Sequence, residues 1–347
     1  MKLSMSSIFI FLFMTIPTSY TFESPLILGH RGASGHRPEH TLASYELAIE
    51  MGADFIEPDL VMTKDKVLMA RHENEISGTT DVADKFPDRK TTKKVDGKDI
   101  TGWFIEDFTL SEVKTLKARE RLAFRNHSYD GKFEIPTFKE ILDLIKKQKR
   151  VVGVYPETKH PSYFQSINLP LEEALIRELE SHGLNKPGSH VFIQSFEMTN
   201  LKALRKLTKL PLIYLIDDPE MTPFDNVINK DPRTYKDMLS PASLKEISTI
   251  VNGIGPYKRY ILPEGKDGEL LPATSLIKDA HALGLKVHPY TFRNEAQYLN
   301  KAYAGDPQKE YQQFFELGVD GVFSDFADEA VKAKKIFLSN KKNGAKK

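Results

Sequence analysis

Short apolar runs alternate with amphipathic helical segments along most of this 347-residue chain, and this alternation limits the folds it can adopt. The first run, 25–29, precedes a helix predicted at 41–51, with Leu42, Tyr45 and Ile49 on one face and Gly52 as its C-terminal stop. Further strands are predicted at 150–155, 190–195, 212–216, 252–256, 286–291 and 321–324, and further helices at 171–182, 200–207, 276–283 and 310–317. This order is typical of a parallel sheet covered by helices. The number of units favours an α/β fold of the (β/α)8 TIM-barrel type over an open doubly wound sheet.

A polar stretch at 73–149 interrupts the alternation and contains the single tryptophan, Trp103. Only two helices are predicted within it, at 110–117 and 138–147. A segment this long between barrel elements is usually functional or a small subdomain. We therefore predict one catalytic barrel domain over 24–340, distorted by an insertion at about 73–149 that covers the barrel mouth.

A predicted hairpin joins two carboxylates to a histidine. Glu57 and Asp59 lie two positions apart in a strand predicted at 55–61, so both point to one face. The turn signal at 63–66 is too short for a parallel crossover, so 67–70 should return antiparallel. A turn centred between residues 64 and 65 sets His72 opposite Glu57, and a slip of two residues sets it opposite Asp59.

Polar residues also follow other predicted strands. His30 and Arg31 end the first run, and Glu157 and Lys159 follow 150–155. Later runs end in Gln194, Ser195, His288, Tyr290, Ser324 and Asp325. Catalytic groups of a barrel lie at the C-terminal ends of its strands. Two imidazoles that can move protons, carboxylates that can hold a cation and an arginine that can bind phosphate suit cleavage of a phosphodiester bond.

The N-terminus predicts export. Lys2 precedes an apolar run at 8–16 that is too short to span a bilayer, so residues 1–21 read as a cleaved signal peptide, with a short membrane anchor as the alternative. The mature chain is then expected in the periplasm or outside the cell, without a stable membrane anchor. The chain has no cysteine, which excludes disulfides and thiolate metal sites. Its formal charge of +1 argues against nucleic acid as a partner.

Several of these residues form an ordered set of motifs: His30-Arg31-Gly32, Pro38-Glu39-His40-Thr41, Glu57-x-Asp59, His72 and Glu157-x-Lys159. The set resembles the glycerophosphodiester phosphodiesterase family, and stretches 80–89 and 287–291 resemble its periplasmic GlpQ-type branch. The resemblance implies a distorted barrel with an inserted segment. It also implies a divalent metal and hydrolysis of small glycerophosphodiesters to glycerol 3-phosphate and an alcohol.

The resemblance also implies roles for individual residues. His30 and His72 are similar to the family's acid–base pair, and which of them is the acid stays open. Arg31 and Lys159 are expected to bind the phosphate. The metal ligands are expected to be Glu57, Asp59 and Glu157, whose hard oxygens suit Ca²⁺, with Mg²⁺ as the alternative.

Other residues carry more than one interpretation. Glu39 is either a favourable acid at a helix N-terminus or a support for the site. His288 either lines the mouth or packs in the core, whereas Tyr290 is expected to pack in the wall and His40 to be a polar loop residue. The family usually has aspartate after the second histidine, where this chain has Glu73. We expect function to survive that change because the acidic character is kept.

Two other functions remain as alternatives. A barrel of this kind could act on intact lipids as a phospholipase C or D, but that should need an exposed apolar rim, and the insertion is polar. A non-enzymatic surface-binding protein is the other, and the retained histidines and carboxylates argue against it. The expected substrates are deacylated diesters such as glycerophosphocholine and glycerophosphoethanolamine.

Overall fold

The computed structural model describes residues 24–344, so the predicted signal peptide lies outside the described residues. Within that range, none of the helices has the length and apolar character needed to cross a membrane.

The strands form a closed parallel barrel with one antiparallel addition. They are β1 (Leu26–His30), β2 (Phe55–Glu57), β3 (Asp59–Met62), β4 (Leu68–Ala70), β5 (Thr91–Val95), β6 (Lys98–Gly102), β7 (Gly153–Val154), β8 (Glu157–Thr158), β9 (Ile193–Ser195), β10 (Leu212–Ile216), β11 (Gly253–Pro256), β12 (Lys286–Val287) and β13 (Gly321–Ser324). Hydrogen bonds link them in the orders β13-β1-β2-β7 and β12-β11-β10-β9-β8-β3-β4. A parallel bridge between Phe292 and Ser324 closes the ring. The predicted TIM-barrel fold is confirmed.

Two barrel strands are each broken by a proline. Pro58 separates β2 from β3, and Pro156 lies between β7 and β8. Proline has no N–H to donate to a ladder, so it interrupts the pairing. The chain continues in the same direction after each break, and a metal-ligand candidate follows each proline directly.

The helices surround the barrel, and several match their predicted bounds. They are α1 (Leu42–Met51), α2 (Val82–Lys85), α3 (Leu110–Val113), α4 (Phe138–Lys146), α5 (Pro161–Ser166), α6 (Glu172–Ser181), α7 (Met198–Leu207), α8 (Phe224–Ile228), α9 (Pro241–Ile247), α10 (Leu276–Ala282), α11 (Pro307–Leu317) and α12 (Ala327–Gly344). Helix α1 shows why: the Thr41 side chain accepts from the Ser44 N–H, and Gly52 ends the helix at φ 98°.

The predicted hairpin forms, but its predicted register is wrong by one residue. Leu60 pairs with Ala70, which sets Asp59 opposite Arg71 rather than opposite a histidine. The turn is the cause. It has three residues instead of two, because Thr63 and Val67 form the closing pair and Lys66 adopts φ 66°.

The polar stretch at 73–149 is ordered and contains two kinds of structure. Strands β5 and β6 form an antiparallel hairpin that turns at Asp96 and Gly97, both at positive φ. Helix α4 instead packs against β4, β7, α1 and α6 as an outer barrel helix. The part that departs from the barrel pattern therefore ends before α4.

Candidate active site

A cavity of about 1280 Å³ opens at the C-terminal ends of the barrel strands. Its lining includes most of the residues selected from the sequence: His30, Arg31, Glu57, His72, Glu157, Lys159 and Tyr290. The strand register explains this convergence. His30 pairs with Glu57 across β1 and β2, and Asp59 pairs with Glu157 across β3 and β8.

Glu57, Asp59 and Glu157 form a buried group of carboxylates. Each offers an oxygen that lies within 4.8 Å of the others, and their exposed fractions are 2%, 1% and 6%. Burial, followed by the charges of Asp59 and Glu157, raises the pKa of Glu57 well above its usual value. Burial also raises the pKa of Glu157 to about 8, against the opposing effect of Lys159.

The donor set of this group fits a divalent cation. Among the described residues, Asp59 Oδ1 is buried and has no hydrogen-bond partner. Three buried carboxylates close to one another repel, and a bound cation would offset that repulsion. All the donors are hard oxygens, which suits Ca²⁺ or Mg²⁺.

Arg31 and Lys159 place two positive charges beside the carboxylates. Lys159 Nζ lies 2.9 Å from Glu157 Oε1, and Arg31 Nε lies 3.4 Å from Asp59 Oδ2. The Arg31 backbone N–H also donates to Glu57 Oε2 at 2.8 Å. Arg31 has φ 59°, and Gly32 follows it at φ 89°, where a Cβ would lie 2.5 Å from Ser44 Oγ. Glycine is therefore required at this turn.

Glu39 holds the Arg31 side chain from behind. Its Oε2 accepts from Arg31 Nη1 at 3.0 Å and from Arg121 Nε at 2.9 Å. Burial raises the pKa of Glu39, but Arg31 and Arg121 outweigh it and hold that pKa well below its usual value. The Glu39 side chain thus contacts the site through an arginine and is not only a helix N-terminal acid.

His30 is held by a buried acid. Its Nδ1 lies 2.6 Å from Asp325 Oδ1, while Asp325 Oδ2 accepts from Arg125 at 2.6 Å and from Arg293 at 2.9 Å. Burial and then the charge of Arg31 lower the pKa of His30 to about 4, although Asp325 raises it. The ring is therefore neutral near pH 7. Nδ1–H donates to Asp325, and Nε2 is left as the basic nitrogen.

His72 is oriented in the same way by a neighbouring acid. Its Nδ1 lies 2.9 Å from Glu73 Oε1. Burial, followed by the charges of Arg31 and Lys159, lowers the pKa of His72 to about 3. Two neutral imidazoles, each bound to an acid through Nδ1, thus lie on one cavity with the carboxylate group.

Sequence reasoning missed some of the residues that hold the site together. His40 was interpreted as a polar loop residue, but it is fully buried and its Nε2 lies 2.9 Å from Asp59 Oδ2. Its Nδ1 lies 2.7 Å from the Tyr45 hydroxyl. Gln194, noted in the sequence only as a residue that ends a predicted strand, donates to Glu57 Oε1 at 3.0 Å. The position of His40 in the Pro-Glu-His-Thr motif was the available signal.

His288 and Tyr290 occupy different places. His288 is 1% exposed inside the barrel, and its Nδ1 lies 2.9 Å from the Tyr155 hydroxyl, so it is a core histidine and not part of the mouth. Tyr290 lines the cavity and donates its hydroxyl to the Ile216 carbonyl at 2.9 Å. It packs in the cavity wall, as its position at a strand end indicated.

Comparison with known proteins shows which family the chain matches. Residues 30–329 match the glycerophosphoryl diester phosphodiesterase family model. A glycerophosphodiester phosphodiesterase of Arabidopsis thaliana is 41% identical over 87% of this chain and 84% of its own length. One from Bacillus subtilis is 31% identical over 93% of each chain.

Solved structures show the same fold. A phosphodiesterase of Oleispira antarctica, in complex with the product sn-glycerol-3-phosphate, aligns with a TM-score of 0.62 at 20% identity, over 89% of this chain and 96% of its own. A glycerophosphoryl diester phosphodiesterase from Silicibacter pomeroyi aligns with a TM-score of 0.64 at 21% identity, over 92% and 95%. The chain belongs to the glycerophosphoryl diester phosphodiesterase family of enzymes.

Proposed function

We propose that this enzyme hydrolyses deacylated glycerophosphodiesters, such as glycerophosphocholine and glycerophosphoethanolamine, to sn-glycerol 3-phosphate and the free alcohol. One observation carries the proposal: two acid-bound histidines line the same cavity as a buried carboxylate group. A structural relative was solved with sn-glycerol-3-phosphate as its product, which supports the choice of product.

Glu57, Asp59 and Glu157 would hold one divalent cation, with Ca²⁺ expected and Mg²⁺ as the alternative. The close oxygens of the three carboxylates and the unpartnered Asp59 Oδ1 support this assignment. When bound, the cation supplies Lewis-acid polarisation of the phosphoryl oxygens. His40 and Gln194 support the ligand set, because each contacts a ligand oxygen that would otherwise be free to rotate away.

Arg31 and Lys159 would bind the phosphate charge of the substrate. Both line the cavity and both lie beside the carboxylates that would hold the cation, so one phosphate could contact the cation and both positive side chains. A guanidinium can bind phosphate oxygens in a bidentate way, whereas an ammonium acts as a point charge.

His30 and His72 would transfer the protons. One neutral ring takes the proton of the attacking hydroxyl, from water or from the substrate itself, on its Nε2. The other ring must enter the step as the imidazolium, and it gives its Nε2 proton to the leaving oxygen. Asp325 and Glu73 hold the two Nδ1 atoms, which keeps both Nε2 atoms available. An acid beside each ring also stabilises the imidazolium that forms when that ring carries the proton.

Action on lipids is the second candidate, and one observation favours it. Met221 and Val227 are 44% and 54% exposed, and with Phe224 they line one side of the cavity. These apolar residues lie in and around α8, outside the 73–149 insertion that is predicted to be polar. Charged residues such as Lys98, Asp217 and Arg259 share the lining and favour a polar diester.

The direct test is an assay of purified protein on glycerophosphocholine, with sn-glycerol 3-phosphate measured enzymatically. Activity should disappear on exhaustive chelation and return on addition of Ca²⁺ or Mg²⁺. Glu157→Gln should reduce metal binding and activity together. Glu172→Gln is a matched control, because Glu172 is a buried acid on α6 that accepts from Gln165 and Asn200 away from the cavity. No release of glycerol 3-phosphate under any metal condition would remove the proposal.

We also propose that the mature enzyme is exported, as the N-terminal segment and the resemblance to the periplasmic GlpQ-type branch suggest. Fractionation of cells that express the full chain, with mass determination of the mature N-terminus, tests this. Recovery of uncleaved protein from the cytoplasm alone contradicts it.

A further inference from the structure

Four side chains that all line the cavity form a continuous hydrogen-bonded chain from His72 to the tip of the β5–β6 hairpin. His72 Nδ1 lies 2.9 Å from Glu73 Oε1, and Glu73 Oε2 lies 2.9 Å from His160 Nε2. His160 Nδ1 lies 2.6 Å from Asp96 Oδ2. His160 and Asp96 also line the cavity but have no role in the mechanism proposed above, and the chain connects His72 to these residues from other parts of the sequence.

The His160 ring is bound on both sides by carboxylates. Because carboxylates only accept hydrogen bonds, both ring nitrogens must donate, and the ring is the imidazolium cation. Burial lowers the pKa of His160, but the hydrogen bonds to Asp96 and Glu73 outweigh burial and raise it to about 9. The side chain is 15% exposed, and its backbone is held at φ 45° directly before Pro161 at the start of α5.

The two carboxylate oxygens of Glu73 therefore contact two different histidines. One oxygen contacts neutral His72, and the other contacts the His160 cation. A carboxylate bound at one oxygen only can rotate about its last side-chain bond, and Glu73 is 46% exposed on the solvent side. The second bond removes that rotation. It also lowers the basicity of Glu73, so the proton stays on His72 Nδ1.

We propose that His160 is a positioning residue: it holds the Glu73 carboxylate so that His72 keeps its proton on Nδ1 and presents Nε2 to the substrate. The inference rests on the proposed function, since it assigns a role within that reaction. The Glu73 oxygens contact the two rings at 2.9 Å each, and a side chain one methylene shorter would draw the carboxylate back from them. Glu73 and His160 therefore act as a matched pair.

Asp96 extends the same chain to the insertion. It lies in the hairpin turn at φ 47°, next to Gly97, where a Cβ would lie 3.5 Å from the Phe224 ring. Asp96 thus contacts the side of the His160 ring that is opposite Glu73. Asp96 at the hairpin tip is therefore linked to His72 through His160 and Glu73.

The test is a double-mutant cycle on glycerophosphocholine. His160→Asn keeps a residue that tolerates the left-handed backbone but cannot bridge two carboxylates, and Glu73→Asp shortens the acid. Each single variant should lower kcat about tenfold, the usual cost of a hydrogen bond to a charged group, and leave KM within about twofold. The double variant should be no slower than the slower single variant, because one unit is broken in all three.

His281→Asn is the matched control. His281 Nε2 also contacts a carboxylate, Asp320 Oδ2, at 2.7 Å. Asp320 directly precedes β13, so this contact lies at the end of the barrel opposite the cavity. This variant should keep the kcat of the unaltered enzyme. A loss equal to that of His160→Asn would mean that any broken surface bridge slows the enzyme, and would overturn the inference.

Two further outcomes also overturn it: unchanged kcat in His160→Asn, or a double variant whose loss is the product of the two single losses. If His160→Asn does not fold, as judged by circular dichroism, Asp96→Asn replaces it, since Asp96 lies in a surface turn. That variant should lower kcat with unchanged KM, and full activity overturns the inference. An unaltered enzyme that is inactive on glycerophosphodiesters removes the proposed function instead, which separates the two failures.

Discussion

Asp325→Asn tests how His30 is supported. Asp325 is 2% exposed, and its Oδ1 lies 2.6 Å from His30 Nδ1. In either proposed role, as acid or as base, His30 passes through its imidazolium form, and the neighbouring negative charge stabilises that form. Asparagine keeps the shape and an acceptor oxygen but removes the charge.

The magnitude follows from the geometry. Two unit charges about 4 Å apart interact by about 4 kcal/mol at an effective dielectric constant of about 20. Arg125 and Arg293 share the Asp325 charge, so roughly half of that energy, about 2 kcal/mol, acts on His30. The loss in kcat should therefore lie between about 30-fold and about 10³-fold. KM should change little, because Asp325 contacts His30 and not the substrate.

The assay is steady-state turnover of glycerophosphocholine by folded Asp325→Asn enzyme. Asp328→Asn is the matched control, since Asp328 pairs with His36 at 3.2 Å on the surface and is 41% exposed. The control should keep normal kcat. An Asp325→Asn enzyme that loses less than about threefold in kcat would refute the proposal that His30 needs a charged partner, given the size of the Coulomb energy.

Four other outcomes are expected. Exhaustive chelation should abolish turnover, and mass analysis should find one cation per chain in the active enzyme; full activity in metal-free protein contradicts the metal assignment. His30→Ala and His72→Ala should each lower kcat by about 10²-fold or more with unchanged circular dichroism, and near-normal turnover in either removes that residue from the acid–base pair. The ratio kcat/KM should be higher for glycerophosphocholine than for phosphatidylcholine in detergent micelles, and the reverse order would favour the lipid function. His288 is neutral in the fold, with a pKa lowered by burial to about 4, but titrates near its ordinary value of 6.5 when unfolded. The unfolded chain binds more protons between these values, so the free energy of unfolding should fall by about 2 kcal/mol from pH 7 to pH 5 through this residue alone. Urea unfolding of His288→Gln should show a pH slope that is shallower by that amount, and an equal slope contradicts it.

The barrel was predictable because its signals are local. Strands β10 and β13 match their predicted bounds, and α1 begins and ends at the capping residues that marked it in the sequence. The hairpin register was not predictable from the turn sequence, because the same residues can form a two-residue or a three-residue loop. Only the left-handed conformation of Lys66 decides between them.

The site was predictable where its residues end strands, and less so where they meet partners from far along the chain. His40 contacts a ligand candidate 19 residues away, and its burial depends on how the loop after β1 packs under β3. Asp325 was noticed at a strand end, but its hydrogen bond to His30 spans 295 residues. Arg125 reaches the same acid from the insertion. Such pairings follow from the closure of the barrel and leave no local pattern in the sequence.

The fluorescence of the single tryptophan can be used to follow the segment in which it lies. Trp103 follows β6 directly, its indole N–H donates to the Phe86 carbonyl at 2.6 Å, and the ring lies 5.3 Å from Lys90 Nζ. Every one of these contacts belongs to the insertion and none to the barrel wall. Intrinsic tryptophan emission of the unaltered chain therefore comes from this segment, whereas all but one of the tyrosines, Tyr129, lie elsewhere in the sequence. A change in emission on adding substrate or cation, without a change in circular dichroism, would report a change in the surroundings of Trp103 without any attached label.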